Sequence, residues 1–208
     1  MKKKLAIMGS GNGGNFEAIV KWFQGKNVQI TCLSDVEDAF ILKRAENLNI
    51  KNEFLLFEDN FKYFTDNKFD LVVLAGYLRI LSNEVLNEIE KVGKVVNIHP
   101  SLLPAFKGSK TAIQDAFLMG VKVSGVTIHF VTSDVDGGQI LAQYPVFINN
   151  DTHFDEFEAE IHQTEHKLYP IVIEKLLEDK IFDFVDLMRS SKGCGGDCSG
   201  GGCGGCNN

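Results

Sequence analysis

The sequence predicts an α/β protein, a three-layer sandwich around a mostly parallel sheet of about seven strands with an antiparallel edge pair. Two observations predict this class. Short apolar runs alternate with helical patterns through the first half of the chain, which is typical of a parallel sheet covered on both faces. Two longer strand patterns then follow one another around a Gly-rich turn, and strands joined in this way pair antiparallel.

The first half of the chain contains five predicted strands, at residues 4–8, 28–33, 53–57, 71–75 and 94–98. The fourth is the most hydrophobic, so we place it at the centre of the sheet. Helices are predicted between strands over residues 16–23, 39–47 and 82–89. Asp38 and Ser82 are the expected N-caps of the last two, because their side-chain oxygens can accept bonds from free N–H groups of the first turn.

The second half begins with a predicted helix over residues 111–118, followed by strands over 123–131 and 139–148. A long helix is predicted from about residue 154 to residue 180. Thr152 and Asp155 have the spacing of a capping box at its start. Pro170 predicts a kink or a break in this helix, because proline lacks the N–H that would continue the bonding.

The composition suits one domain with a short appendage, and we place the domain at residues 1–189 and the appendage at 190–208. The appendage is rich in Gly, Cys and Ser, cannot bury a core, and is predicted to be disordered. Four of the five cysteines lie in it, and four thiolates could hold zinc or an iron–sulfur cluster. Their spacing matches no standard site, so we expect no metal at Cys194, Cys198, Cys203 and Cys206.

The charge balance limits the classes of partner. The net charge is −7, from 21 basic and 28 acidic residues, which argues against a broad nucleic-acid or membrane surface but allows a small anionic ligand. The apolar run at residues 5–8 is shorter than the roughly 7–15 apolar residues of a signal peptide. We therefore expect a cytoplasmic chain.

A Gly-rich loop at residues 9–15, Gly-Ser-Gly-Asn-Gly-Gly-Asn, joins the first strand to the first helix. Backbone N–H groups at a helix start bind anions, and glycine allows a phosphate to approach closely. The loop also fits the dinucleotide fingerprint, with Asp35 near the position of a ribose-binding acid. The loop can therefore be interpreted as a site for a phosphate monoester, as a site for a dinucleotide, or as a tight turn without a ligand.

Asn97 and His99 end the fifth strand, where open α/β sheets place their ligands, and alternation directs both side chains to one face, with Ile98 opposite. Asp136 precedes two glycines in the later turn. An amide, an imidazole and a carboxylate can carry a carbonyl carbon through an oxyanion, with Asp136 raising the pKa of His99 and assisting proton transfer. Alternatively, His99 is satisfied by backbone groups and Asp136 serves the turn. We expect a supporting role for His129.

Three segments together resemble the folate-dependent formyltransferases: Asn97-Ile-His-Pro-Ser-Leu-Leu-Pro104, Ser124-Gly-Val-Thr-x-His129-Phe and Asp136-Gly-Gly138. The Gly-rich loop, Leu74-Ala-Gly-Tyr-Leu-Arg-Ile-Leu81 and Thr164-Glu-His-x-x-Tyr-Pro170 resemble the branch that formylates glycinamide ribonucleotide in purine synthesis. The resemblance extends over residues 3–184.

This resemblance implies an enzyme whose partners are small molecules, with 10-formyltetrahydrofolate as co-substrate and no tightly bound cofactor or metal ion. The implied catalytic residues are Asn97, His99 and Asp136. The implied nucleotide-binding residues are Gly13, Gly14 and Asn15 for the phosphate and Glu165 for the ribose. The implied folate-binding residues are Leu78, Arg79, Ile80, Leu81, Ser133, Asp134 and Val135.

Two positions depart from the family pattern. Gly14 stands where the family usually has Ser, so backbone donors must replace a hydroxyl. Asn60 stands where an Arg often helps to bind the folate, and Asn60 is the candidate replacement.

Three alternatives share part of the pattern. A formyltetrahydrofolate deformylase would use the same trio to deliver water, but normally carries an extra N-terminal domain, whereas this sequence starts at the first strand. Methionyl-tRNA formyltransferase adds a basic C-terminal domain, in contrast to the short uncharged C-terminus here. A dinucleotide-binding module would explain Asp35 but leaves the trio without a role.

Overall fold

The computed structural model describes residues 2–183, and these form one seven-stranded sheet with helices on both faces. Its strands are β1 (Lys3–Met8), β2 (Val28–Ser34), β3 (Lys51–Phe54), β4 (Leu71–Leu74), β5 (Lys94–His99), β6 (Val123–Phe130) and β7 (Ile140–Phe147). Its helices are α1 (Gly14–Phe23), α2 (Phe40–Asn47), α3 (Asn60–Asp66), α4 (Asn83–Glu90), α5 (Ala112–Leu118) and α6 (Phe154–Leu177). No helix in this part of the chain has both the length and the apolar character needed to cross a membrane.

The strand order is β3-β2-β1-β4-β5-β6-β7, so the apolar strand β4 is central, as predicted. The first five strands pair parallel, and β6 and β7 add an antiparallel pair at one edge. The predicted three-layer α/β fold is therefore confirmed. The predicted tail at 190–208, with its four cysteines, lies outside the described residues.

Alternation along the strands separates two cores. Leu5 and Ile7 of β1 pack with residues of α1 and α6 on one face. Ala6 and Met8 of the same strand pack with residues of α3 and α4 on the other. Because each apolar strand contributes to both cores, the sheet is fixed between two helical layers.

The segment after β2 differs from the prediction. The third strand spans Lys51–Phe54 rather than residues 53–57, and α3 was not predicted. Of the run at 53–57, only Glu53 and Phe54 pair with β2. Leu55 is then buried in the core, and a 3₁₀ turn begins at Phe57. Helix α3 is held by Phe64, which contacts Tyr63 and Phe69 in an aromatic cluster. Tertiary packing of these rings outweighs the modest helix propensity of the segment.

Two predicted caps are wrong and one is confirmed. Ser82 caps α4 by accepting from the Val85 N–H. Helix α2 is capped by Ala39 rather than Asp38 and has no side-chain cap; its Ile41 N–H donates instead to the Gly11 carbonyl at 3.0 Å. An orphan donor of the helix is thus satisfied by the Gly-rich loop.

The capping box at the start of α6 is formed by His153 and Glu156, one residue beyond the predicted pair. The His153 N–H donates to the Glu156 carboxylate at 3.1 Å, and the Thr152 hydroxyl accepts from the Asn149 N–H instead. The predicted box of Thr152 and Asp155 is therefore wrong by one residue, because Thr152 is used by the preceding turn.

A kink or a break was predicted at Pro170. The helix continues for seven more residues to Leu177, so it does not break there. Proline inside a helix costs about 3 kcal/mol or more. The neighbouring Tyr169 offsets this cost, because its fully buried side chain donates from Oη to the carbonyls of Leu74 (2.9 Å) and Val96 (3.2 Å). These contacts attach the helix to the central strand β4 and to its neighbour β5.

We expect Tyr169→Phe to lower the free energy of unfolding by about 1–3 kcal/mol, because two buried carbonyls lose their donor. Urea denaturation followed by circular dichroism measures this change. Tyr144→Phe on β7 is the matched control, since Tyr144 is partly exposed, and it should leave the stability unchanged. Equal stability of both variants would show that the Tyr169 hydroxyl does not anchor α6.

Candidate active site

The candidate site lies at the edge of the sheet where β1, β4 and β5 end. These strands are parallel neighbours, so their carboxyl ends lie side by side. The Gly-rich loop follows β1, the segment at residues 75–81 follows β4, and His99 ends β5. This is the position at which open α/β sheets place their ligand crevice.

The antiparallel register of β5 and β6 brings two predicted site residues together. Asn97 pairs directly with His129, and His99 pairs with Thr127. Asn97, His99 and His129 lie on the face that carries α3 and α4, whereas Ile98 packs in the opposite core. The predicted common direction of Asn97 and His99 is therefore confirmed, and the cross-strand pair adds His129 to them.

Asp136 reaches this face because the loop between β6 and β7 folds back over it. Its backbone adopts a left-handed conformation with φ 50°, which Asp tolerates better than most residues. Its Oδ2 accepts from the Gly108 N–H at 2.9 Å and lies 3.4 Å from His99 Nδ1, while Oδ1 lies 3.5 Å from His129 Nε2. A Cβ at Gly138 would overlap the Phe130 carbonyl, so the tight loop requires this glycine.

His129 connects the amide to the carboxylate. Its Nδ1 lies 2.8 Å from the Phe130 carbonyl, which accepts a hydrogen bond from the N–H at this position. Its Nε2 lies 3.3 Å from Asn97 Nδ2 and 3.5 Å from Asp136. A proton on Nε2 is donated to Asp136, whereas the unprotonated nitrogen accepts from the Asn97 amide. His129 is thus positioned to orient Asn97.

His99 is only 5% exposed, and burial lowers the pKa of its imidazole. The Asp136 charge and the Phe106 carbonyl, which lies 3.1 Å from Nε2, oppose that lowering of the pKa. The predicted effect of Asp136 on His99 thus has the right sign, but desolvation outweighs it.

The Asp136 carboxyl is held ionised. The neighbouring His129 is the largest cause that lowers its pKa, the Gly108 N–H and His99 add to the effect, and burial opposes it, with a resulting pKa of about 2. Asp136 is therefore a permanent negative charge beside two imidazoles at neutral pH.

The Gly-rich loop forms a tight entry to α1. Gly13 is the N-cap residue with φ 80°, and a Cβ there would lie 2.9 Å from the Ile41 Cα. Both the left-handed backbone and the contact with α2 therefore require glycine at this position. As at any helix N-terminus, the first N–H groups of α1 have no partner within the helix.

Two more predicted nucleotide residues, Asn15 and Glu165, are 150 positions apart in sequence but in contact. Asn15 Nδ2 donates to Glu165 Oε2 at 3.2 Å, and His162 Nδ1 lies 3.1 Å from the same oxygen. Glu165 is 5% exposed, and it raises the pKa of His162. Asn15 Oδ1 is buried without a hydrogen-bond partner among residues 2–183.

His162 and His166 lie beside these residues, but the sequence analysis gave neither a role, although His166 belongs to the motif at residues 164–170. A Cβ on Gly14 would lie 2.9 Å from His166 Nε2, so this ring occupies the space that a side chain at position 14 would need. Burial lowers the pKa of His166. The spacing of both histidines with Glu165 on one helix face was a usable signal, since residues three and four apart are neighbours.

The predicted folate segment follows β4 and is tied to the Gly-rich loop. The Leu78 N–H donates to Ser10 Oγ at 3.0 Å, and Arg79 Nε donates to Asp35 at 3.2 Å. Leu78 and Ile80 are exposed, whereas Leu81 is buried in the core. The side chain of Leu81 thus anchors the segment to the core. At Leu81, therefore, only the backbone is available to a ligand.

The remaining predicted folate residues, Ser133, Asp134 and Val135, are exposed on the loop that carries Asp136. The Lys107 ammonium donates to the Asp134 carboxylate at 2.7 Å. With the Gly108 contact to Asp136, this ion pair connects the loop to the segment that follows His99.

Two sequence hypotheses meet a different environment. The Asp35 side chain is 4% exposed and both oxygens are bonded, one to Ser10 and one to Arg79, so it does not face a ribose. Asn60 is 1% exposed and its Nδ2 donates to the Tyr77 hydroxyl at 3.2 Å. The Asn60 amide is therefore directed into the protein and away from the surface that a folate tail would use.

Comparison with known proteins agrees with this geometry. The formyl transferase family model matches residues 3–173. The chain is 37% identical over 188 residues to a phosphoribosylglycinamide formyltransferase of Bacillus subtilis (strain 168), covering 84% of this chain and 95% of that protein. It is 33% identical over 194 residues to the enzyme of the same name from Escherichia coli (strain K12), covering 85% and 88%.

A solved structure gives the same result. The phosphoribosylglycinamide formyltransferase from Streptococcus pneumoniae TIGR4 superimposes with a TM-score of 0.75 at 38% identity, covering 85% of this chain and 99% of that one. Sequence, fold and the arrangement of the strand-end residues therefore agree: this chain belongs to the formyl transferase family.

Proposed function

We propose that this chain transfers the formyl group of 10-formyltetrahydrofolate to the amine of glycinamide ribonucleotide, a step of purine synthesis. The names of its relatives support the reaction, since proteins called phosphoribosylglycinamide formyltransferase match most of their length. Both partners are small molecules, and the folate is a co-substrate that leaves after each turnover, so no tightly bound cofactor is required.

One observation carries the proposal: Asp136 contacts His99 and His129 at 3.4 and 3.5 Å, on the face where Asn97 lies. A turn aspartate without a role in chemistry would not need to reach two imidazoles on neighbouring strands. Asp35 is occupied by protein groups, which argues against a dinucleotide-binding module.

We assign the chemistry as follows. The amine nitrogen of the nucleotide attacks the formyl carbon, and the carbonyl oxygen becomes an oxyanion that Asn97 and His99 stabilise. Burial keeps the pKa of free His99 low, and the new negative charge raises it again, so His99 carries a proton while the oxyanion exists. Collapse then breaks the bond from the formyl carbon to N10, which takes up the proton released by the amine through His99 or water.

The assignment gives Asp136 an electrostatic role. A carboxyl with a pKa of about 2 is a weak base at neutral pH, so it serves mainly to stabilise and orient the imidazolium of His99. The Phe106 carbonyl is the neutral, weaker acceptor of His99, and it is the contact that the oxyanion replaces.

The substrates are assigned to opposite sides of this trio. The phosphate takes the N–H groups of residues 13–15 at the start of α1, and the ribose hydroxyls donate to Glu165. The pterin takes the backbone of residues 78–81 and the loop at 133–135. The Ser10 contact with Leu78 joins the two sides.

The function is tested by mixing the purified protein with 10-formyltetrahydrofolate and following tetrahydrofolate release with and without glycinamide ribonucleotide. We expect release only when the nucleotide is present. Release at the same rate without it would identify a hydrolase and contradict the proposal.

We expect Asp136→Asn to lower kcat by about two to four orders of magnitude, because the His99 imidazolium loses its counter-charge. The Asn side chain is nearly isosteric, so far-UV circular dichroism should be unchanged at neutral pH. A kcat within twofold of the wild type would show that Asp136 is only a turn residue.

The low pKa of Asp136 predicts an acid-sensitive fold. Its pKa falls from 3.8 to about 2 on folding, so the ionised form stabilises the folded state above pH 4, and this contribution is lost as the pH falls towards 2. We expect it to amount to about 2 kcal/mol in the free energy of unfolding. Urea titrations between pH 5 and pH 2 measure how the free energy of unfolding depends on pH. This dependence should be weaker for Asp136→Asn than for the exposed control Asp66→Asn. An equal pH dependence in the two variants would contradict the stabilising role of the Asp136 charge.

We expect Glu165→Gln to raise the KM for glycinamide ribonucleotide by about tenfold, which corresponds to about 1.4 kcal/mol, because a charged acceptor for the ribose hydroxyls is lost. The KM for 10-formyltetrahydrofolate should change by less than twofold. Steady-state kinetics measures both, with Glu160→Gln on the exposed face of α6 as the control. An increase confined to the folate KM would show that the two substrates are assigned to the wrong sides.

A further inference from the structure

Asp35 is a buried carboxylate that the proposed chemistry does not use. It directly follows β2, beside the ends of β1 and β4 in the sheet. Its side chain is 4% exposed, and the side chain of its cationic partner Arg79 is 62% exposed. Burying a carboxylate is costly unless its oxygens are bonded, so the contacts of Asp35 call for an explanation.

These contacts all lead to the segment that follows β4. Asp35 Oδ2 accepts from Arg79 Nε at 3.2 Å, and Oδ1 accepts from the Ser10 hydroxyl at 2.6 Å. The same hydroxyl accepts from the Leu78 N–H at 3.0 Å, and the Ser10 N–H donates to the Gly76 carbonyl. Asp35 therefore holds Arg79 directly and orients the hydroxyl that holds Leu78.

Aromatic side chains lie beside this network. Arg79 Cζ lies 5.8 Å from the centre of the Phe57 ring, and the Tyr77 hydroxyl receives a bond from Asn60. The Tyr77 pKa is raised mainly by burial, with Asp35 adding to the rise and Arg79 opposing it. Among residues 2–183, Arg79 is the cation in ion-pair contact with the Asp35 carboxylate, and the Ser10 hydroxyl is its neutral donor.

We propose that Asp35 is a positioning residue that fixes residues 78–81 in the conformation that binds the folate donor. The inference rests on the proposed function, because the donor assigned to this segment follows from it. Leu78 and Ile80 are exposed and make no core contact that would fix the segment between Tyr77 and Leu81. The network from Asp35 supplies that constraint through one side-chain tether and one backbone tether.

The proposal concerns donor affinity rather than catalysis. Asp35→Asn keeps an oxygen for the Ser10 hydroxyl and turns an amide donor towards Arg79, so only the tether to Arg79 is lost. A segment that is no longer fixed must be ordered on binding, and that cost lowers affinity for the ligand of that segment alone.

The test measures tetrahydrofolate affinity by titration calorimetry and both KM values by steady-state kinetics. For Asp35→Asn we expect the Kd for tetrahydrofolate and the KM for 10-formyltetrahydrofolate to rise at least fivefold. The kcat and the KM for glycinamide ribonucleotide should stay within twofold of the wild type. A donor Kd and KM within twofold would overturn the proposal.

Glu88→Gln is the matched control. Glu88 lies on α4, away from the strand ends that carry the site. Its carboxylate side chain is 8% exposed and forms ion pairs with Lys68 and Lys91. It should lose stability without any change in donor affinity. A rise in donor Kd equal to that of Asp35→Asn would show that general destabilisation causes the effect.

A double-mutant cycle tests whether Asp35 acts through Arg79. Arg79→Gln alone should raise the donor Kd as Asp35→Asn does, and the double variant should be no weaker than Arg79→Gln. Fully additive effects would contradict the tether. If Asp35→Asn does not fold, the donor Kd of Arg79→Gln tests the tether instead. Because tetrahydrofolate binding needs no acceptor, a wild type that hydrolyses the donor would contradict the proposed function and leave this test intact.

Discussion

The site depends on the register of the antiparallel pair β5 and β6. Asn97 lies directly opposite His129, and this pairing places these two side chains and that of His99 on one face of the sheet. A slip of one residue would turn the His129 side chain to the opposite core and leave Asn97 beside an apolar neighbour. The register is held by apolar side chains on the other face, where Ile98 and Ile128 pack together.

Three carboxylates whose side chains are at most 11% exposed join segments that are distant in sequence. Asp136 connects the loop after β6 with the end of β5, Glu165 connects α6 with the start of α1, and Asp35 connects β2 with the segment after β4. Each makes contacts with donors from at least one other element, which offsets the cost of burying its charge. The edge of the sheet is therefore built from ionic and hydrogen-bonded contacts, while the two cores below it are apolar.

Much of the fold could be predicted from local patterns. The strands that alternate with helices are found within a few residues of their predicted ends, and Ser82 caps α4 as predicted. The errors share one cause, which is that tertiary contacts outweigh local signals. Helix α3 forms because Phe64 packs with other rings, and α6 continues through Pro170 because Tyr169 is anchored between two strands. The roles of the site residues remain predictions, although their proximity is now described.

The sequence by itself determined the class of fold, the central strand and the residue types available for chemistry, because periodicity and apolar runs are local properties. It also carried the family resemblance, which lies in short motifs. Only the tertiary structure decided that Asp136 reaches both histidines, that His162 and His166 stand beside the Gly-rich loop, and that Asp35 faces Arg79 rather than a ribose. These are contacts between residues tens of positions apart, and their formation depends on strand order, loop path and burial, none of which a local pattern contains.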